Sequence, residues 1–122
     1  MEKIANLTQH KPTNEQIKAG VIHLEEKENE IKELLTFDNI PTLKEMEDRA
    51  ERLARIVVEE GVFKKAMIGG APFFMSTLEK VLKKYGIKPV YAFSKRIVVE
   101  EKLENGEVIK KNIFKHLGFV EV

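Results

Sequence analysis

Apolar positions in this chain form two alternating kinds of run: short continuous stretches, and longer ones spaced as on one face of a helix. Lys3–Leu7 and Val21–Leu24 are short apolar stretches that predict strands. Between them Thr13 stands three residues before Gln16, the spacing of a capping box, and Gly20 supplies a helix stop. A short helix is therefore expected over about Thr13–Ala19. Glu26–Leu35 is charged but keeps Ile31, Leu34 and Leu35 on one side, which predicts a helical turn or two. Asp38-Asn39-Ile40-Pro41 breaks the chain. Thr42 with Glu45 repeats the capping spacing, and Met46, Ala50, Leu53 and Val57 mark the helix behind it, ended by Gly61.

Phe63–Ile68 predicts the next strand and runs into Gly69-Gly70-Ala71-Pro72, where Pro72 suits a first helical turn. Phe74, Leu78, Val81, Leu82 and Tyr85 mark the following helix, closed by Gly86. Lys88–Phe93 predicts a fourth strand. The tail changes character: Arg96–Leu103 and Glu107–Phe114 flank Glu104-Asn105-Gly106, a hairpin signal, and Gly118–Val122 reads as a final strand. Strands alternating with helices imply a parallel sheet with right-handed crossovers. The expected fold is α/β: a three-layer, Rossmann-like, mostly parallel sheet with a C-terminal antiparallel hairpin. It forms one domain over residues 1–122, with a parallel core to about residue 95 and the hairpin and tail from about 96. Fold habit suggests the strand order 2-1-3-4.

Composition narrows the functions open to such a domain. The chain has 122 residues, 43% of them hydrophobic and 34% charged, as in a globular protein. It has no cysteine, which excludes disulfides, thiolate metal sites and a cysteine nucleophile. The net charge of +1 argues against general DNA binding, which needs a basic excess. No apolar run approaches membrane-spanning length and Met1-Glu2-Lys3 leads straight into a strand, so a cytoplasmic protein without a membrane partner is expected.

Ligands of open parallel sheets bind beyond the carboxyl ends of the strands. Three segments are expected to meet there: Thr8-Gln9-His10 after the first strand, Gly69-Gly70 after the third, and Ser94-Lys95-Arg96 after the fourth. Glycine amides beside a helix start suit a phosphate, although Gly69-Gly70 can equally be a tight packing turn. Lys95 and Arg96 can clamp a phosphate, or be solvated residues opening the hairpin. His10 can act as a general acid or base, or as a donor, with Thr8, Gln9 and Ser94 as ligand-binding partners. His23 and His116 read as structural. No metal-ligand spacing is present, and neither metal nor cofactor is expected. Glu45, Glu47, Asp48 and Glu51, interleaved with Arg49, Arg52 and Arg55, read as a solvated, ion-paired helix face.

The segments Asn6–His10 with Thr13 and Gln16, Met67–Pro72, and Tyr91–Ser94 with Arg96 resemble a family of uncharacterised bacterial and prophage proteins. The tail, with Asn105-Gly106, Phe114, His116, Gly118 and Phe119, is similar to it as well. That resemblance spans nearly the whole chain and implies no activity. The opening strand and its polar turn, with His10, Thr13 and Gln16, also resemble small CRISPR-associated, CARF-like proteins with a Rossmann-like fold. This second resemblance implies a homodimer that binds cyclic oligoadenylate. It places Thr8, Gln9, Gly69 and Gly70 on the ligand, and His10, Lys95 and Arg96 as the groups for a metal-independent ring cleavage. The leading expectation is thus a binder of a small nucleotide or other anionic ligand. The alternative is a non-enzymatic interaction or regulatory module using the long hairpin edge.

Overall fold

A computed structural model of the chain describes all 122 residues. Its centre is a five-stranded sheet in the order β2-β1-β3-β4-β5. β1 (Ile4–Leu7) pairs in parallel with β2 (Val21–Ile22) on one side and β3 (Lys65–Ile68) on the other. β4 (Lys88–Lys102) continues the parallel set, and β5 (Val108–Glu121) closes it antiparallel to β4. The parallel part has the expected order. The mostly parallel α/β sheet with a C-terminal antiparallel hairpin is therefore the observed fold.

The helices are α1 (Asn14–Lys18), α2 (Glu28–Leu35), α3 (Leu43–Glu60) and α4 (Pro72–Lys84). At α1 the capping box forms in full: Gln16 N–H donates to Thr13 Oγ1, and Thr13 N–H donates to Gln16 Oε1. At α3 only half of it forms. Thr42 Oγ1 accepts from Glu45 N–H, while the Glu45 carboxylate turns to Arg49 instead. Pro72 stands at the first turn of α4, where its missing N–H leaves no bond unmade.

One face of the sheet carries most of the core. Ala5, Leu7, Ala66 and Ile68 pack there against Leu53, Ala54, Val57, Phe74, Leu78 and Leu82 of α3 and α4, all buried. The opposite face has a smaller cluster of Ile4, Val21, Met67 and Val90, with Phe119 against it. By the right-handed crossover rule α1 falls on that side. It has only five residues, none of them buried, so the second helical layer is vestigial. Gly20, between α1 and β2, is obligatory: a Cβ there would lie 2.3 Å from the Glu2 carbonyl oxygen.

The charged face of α3 does more than meet solvent, contrary to its reading from sequence. Arg52 grips the Glu30 carboxylate with two bonds of 2.6 and 3.0 Å, tying α3 to α2. Arg49 donates to the carbonyls of Leu34 and Thr36 and lies 4.3 Å over the Phe37 ring. Glu51 accepts from both Lys84 and Tyr85, tying α3 to the end of α4.

The tail departs from expectation at one point that matters for function. The fourth strand does not stop at Phe93. It runs on without a break to Lys102, and the expected hairpin arm and final strand are likewise one strand, β5. A register shift at Phe93/Ser94 marks where this pair leaves the sheet, with Gly118 opposite Phe93 and His116 opposite Ser94, so that Leu117 is the extra residue. Beyond it, β4 and β5 form a two-stranded ribbon. Its tip is a three-residue loop in which Gly106, at φ 89°, donates to the Leu103 carbonyl.

Candidate functional site

β1 and β3 are neighbours whose following connections leave in opposite directions, to β2 and to β4. That makes the gap between their carboxyl ends the topological switch point, where such sheets bind ligands. A cleft of about 430 Å³ opens there. Its polar lining comes from Thr8, Gln9, His10 and Lys11 after β1, Thr13 and Gln16 of the α1 start, and Gly69-Gly70 after β3. Tyr91 and Ala92 of β4 complete the wall.

The turn at Thr8–His10 is held from beneath by a residue that sequence reasoning passed over. Asn6 is 2% exposed and is the one buried polar side chain of the protein. Its Oδ1 accepts from Thr8 N–H at 3.1 Å, and its Nδ2 donates to the His10 carbonyl at 2.8 Å. The Thr8 hydroxyl lies 2.8 Å from Asn6 Oδ1 and 3.0 Å from the His10 carbonyl, two acceptors for the one proton it carries. Asn6 Nδ2 also lies 3.3 Å from His23 Nδ1, and His23 Nε2 lies 3.2 Å from Glu28 Oε1. Facing the Asn6 amide donor, His23 Nδ1 accepts, and Nε2 donates to Glu28. A chain Glu28–His23–Asn6 thus fixes the backbone that carries Thr8 and His10. The available signal was an asparagine inside an apolar strand, a costly residue to bury unless its bonds are made.

Of the expected site residues, Thr8, Gln9, His10, Gly69 and Gly70 meet in this cleft. The Gln9 amide is already engaged, donating to Thr36 Oγ1 at 2.8 Å. His10 and Lys11 are exposed, and their side chains bond to nothing else in the chain. At Gly70, φ is 156°, a backbone conformation that residues with a side chain rarely adopt, so the turn there favours glycine. Tyr91 donates to Glu79 Oε2 at 2.6 Å. Burial, and then that carboxylate, push its hydroxyl well above the usual phenol range, so it stays a proton donor.

Ser94, Lys95 and Arg96 do not join the cleft. They sit within β4 on the ribbon, opposite His116, Lys115 and Phe114. The strand passes the cleft at Ala92, and Arg96 lies roughly 13 Å further along it. The physical reason is that β5 supplies a backbone partner for β4 beyond Phe93, so no loop forms there to turn these side chains back. His116 lies on the same ribbon rung as Ser94, with its ring 4.9 Å from that of Phe119 and both ring nitrogens buried without a partner. No group of three or more His, Cys, Asp or Glu side chains is placed to hold a metal ion. No helix is long and apolar enough to cross a membrane.

Fold and cleft together define a mostly parallel α/β domain with a polar cleft at its switch point. A family model, the uncharacterized protein MJ1673 family, matches residues 2–120, and the chain belongs to that family. No curated protein and no solved structure matches it.

Proposed function

We propose that the switch-point cleft binds a small phosphate-bearing ligand such as a nucleotide. The observation that carries this reading is the set of unspent groups at one rim. The His10 imidazole and the Lys11 ammonium stand free beside the glycine turn Gly69-Gly70 and the start of α4. Cationic groups, glycine backbone and a helix N-terminus suit an anion far better than a neutral metabolite. The Asn6 network supports the same reading, because it fixes the turn before any ligand arrives.

A cyclic oligoadenylate is the larger member of the same ligand class. Its cleavage would need a ribose hydroxyl held in line with the phosphate and cations on the developing charge. Lys95 and Arg96 can meet only a ligand long enough to leave the cleft and follow β4. Charge on a phosphate inside it falls to Lys11, with His10 as a hydrogen-bonding neighbour. The reading put forward is therefore binding rather than turnover.

Calorimetry with AMP, cyclic tetra-adenylate, inorganic phosphate and adenosine tests it. The phosphate-bearing compounds are expected to bind, and adenosine is not. Lys11→Ala should weaken binding about tenfold without a change in Tm, since its side chain makes no contact that holds the fold. Absence of heat with all three phosphate compounds overturns the proposal.

A further inference from the structure

The ribbon beyond the bulge is an unusual object to leave in water. An isolated pair of strands is marginal on its own, and needs a covered face for stability. Alternation along β4 and the observed register sort its residues onto two faces. One face carries the rows Lys95/Lys115, Ile97/Ile113, Val99/Lys111, Glu101/Ile109 and, at the tip, Leu103/Glu107. Its aliphatic members are contiguous, because Ile97 lies directly opposite Ile113, and Val99 is diagonal to both Ile113 and Ile109. None is buried, and Ile113 is 42% exposed. Nothing else in the chain covers this stripe.

The charges of the same face are arranged by position along the ribbon. At the base Lys95 and Lys115 stand opposite one another, a like-charge pair that disfavours the ribbon, and neither reaches a carboxylate. At the tip Glu107 on this face, and Glu104 in the adjoining loop, reach no cation. In the middle Glu101 and Lys111 satisfy each other. The row Val99/Lys111 lies midway between the row Lys95/Lys115 and the row Leu103/Glu107. A two-fold axis through that middle row therefore lays the basic base of one ribbon on the acidic tip of another.

We propose that the ribbon is a self-association surface: two copies of this chain pack their aliphatic stripes face to face and head to tail. Glu104 and Glu107 of each copy then neutralise Lys95 and Lys115 of the other. Such an isologous contact is the commonest kind in homo-oligomers and is self-complementary by construction. It gives Lys95 a partner in the assembly, separate from any role at the cleft. It rests on the ribbon alone and stands whether or not the cleft binds phosphate.

Light scattering on the purified chain, with charge reversal, tests the geometry. The wild type is expected at twice the 14.0 kDa chain mass. The pair Lys95→Glu with Lys115→Glu makes both ends acidic, and the pair Glu104→Lys with Glu107→Lys makes both ends basic. Each double variant should weaken the dimer by about tenfold or more. The quadruple variant, with both ends reversed, should recover wild-type affinity. All three keep the aliphatic stripe, and circular dichroism of each is the check that the ribbon is intact. A separate variant, Ile113→Asp, should be monomeric. A monomeric wild type overturns the proposal. Double variants that stay dimeric, or a quadruple variant that does not recover, overturn the head-to-tail arrangement.

Discussion

The body of the domain and the ribbon share one strand, and β4 shows how differently the same backbone can be supported. Val90, near its start, is fully buried between β3 and β5. Val98, eight residues on, is 61% exposed. Both are β-branched residues in regular extended backbone. What differs is what lies against them: Val90 packs with Ile4, Val21, Met67 and Phe119 on the second face of the body sheet, and no such cluster meets Val98 on the ribbon. Strand pairing alone thus fixes the path of a chain, while burial decides how much stability each side chain contributes.

Substitutions along this contrast should rank by burial. Phe74→Ala removes a fully buried ring from the main core and should cost about 3–5 kcal/mol, read by chemical denaturation. Val90→Ala should cost about 2–3 kcal/mol, from lost transfer energy and the cavity left behind. Asn6→Ala strands the Thr8 amide and His23 Nδ1, and should cost about 1–3 kcal/mol. It should also speed hydrogen exchange at Thr8 more than at Ala5, and a uniform change at both would break the assignment of Asn6 as the support of the turn.

Acid should act between the largest and smallest of these. Hydrogen bonds from Arg52 hold the Glu30 carboxyl below its usual 4.5, and those from Lys84 and then Tyr85 do the same for Glu51. Bonds from Lys65 and then Lys88 lower Glu121, which ties the end of β5 to the body. Depressed carboxyls bind fewer protons folded than unfolded. Their contribution is present above about pH 4.5 and is lost as pH falls through the folded values. Tm should therefore fall below that pH, and less steeply in Glu51→Gln. Smallest of all, Val98→Ala should change stability by less than about 0.5 kcal/mol. A loss there as large as that of Val90→Ala would mean that the ribbon face carrying Val98 is covered too.

Much of the body was legible because its signals are local. The box at Thr13 and Gln16, the stripe through Met46, Ala50, Leu53 and Val57, and the loop at Asn105-Gly106 all formed where the spacing put them. At the cleft the same holds for Thr8, His10, Gly69 and Gly70, which follow strands whose ends the apolar runs marked. Ser94, Lys95 and Arg96 were misplaced because their position depends on where β4 stops, and that is set by β5, which lies some twenty residues away along the chain. Asn6 meets His23, Arg49 meets the Thr36 carbonyl and Arg52 meets Glu30 at sequence separations of 17, 13 and 22 residues.

By itself the sequence determined the kind and order of the elements, their caps and the hairpin turn, since each rests on spacing within a few residues. Only the tertiary structure decided that two strands extend past the sheet as a ribbon, and that a buried asparagine props up the binding turn. It also turned a charged helix face into the seam joining three helices. Those outcomes depend on which backbone groups and side chains find partners across space, and residue spacing carries no record of that.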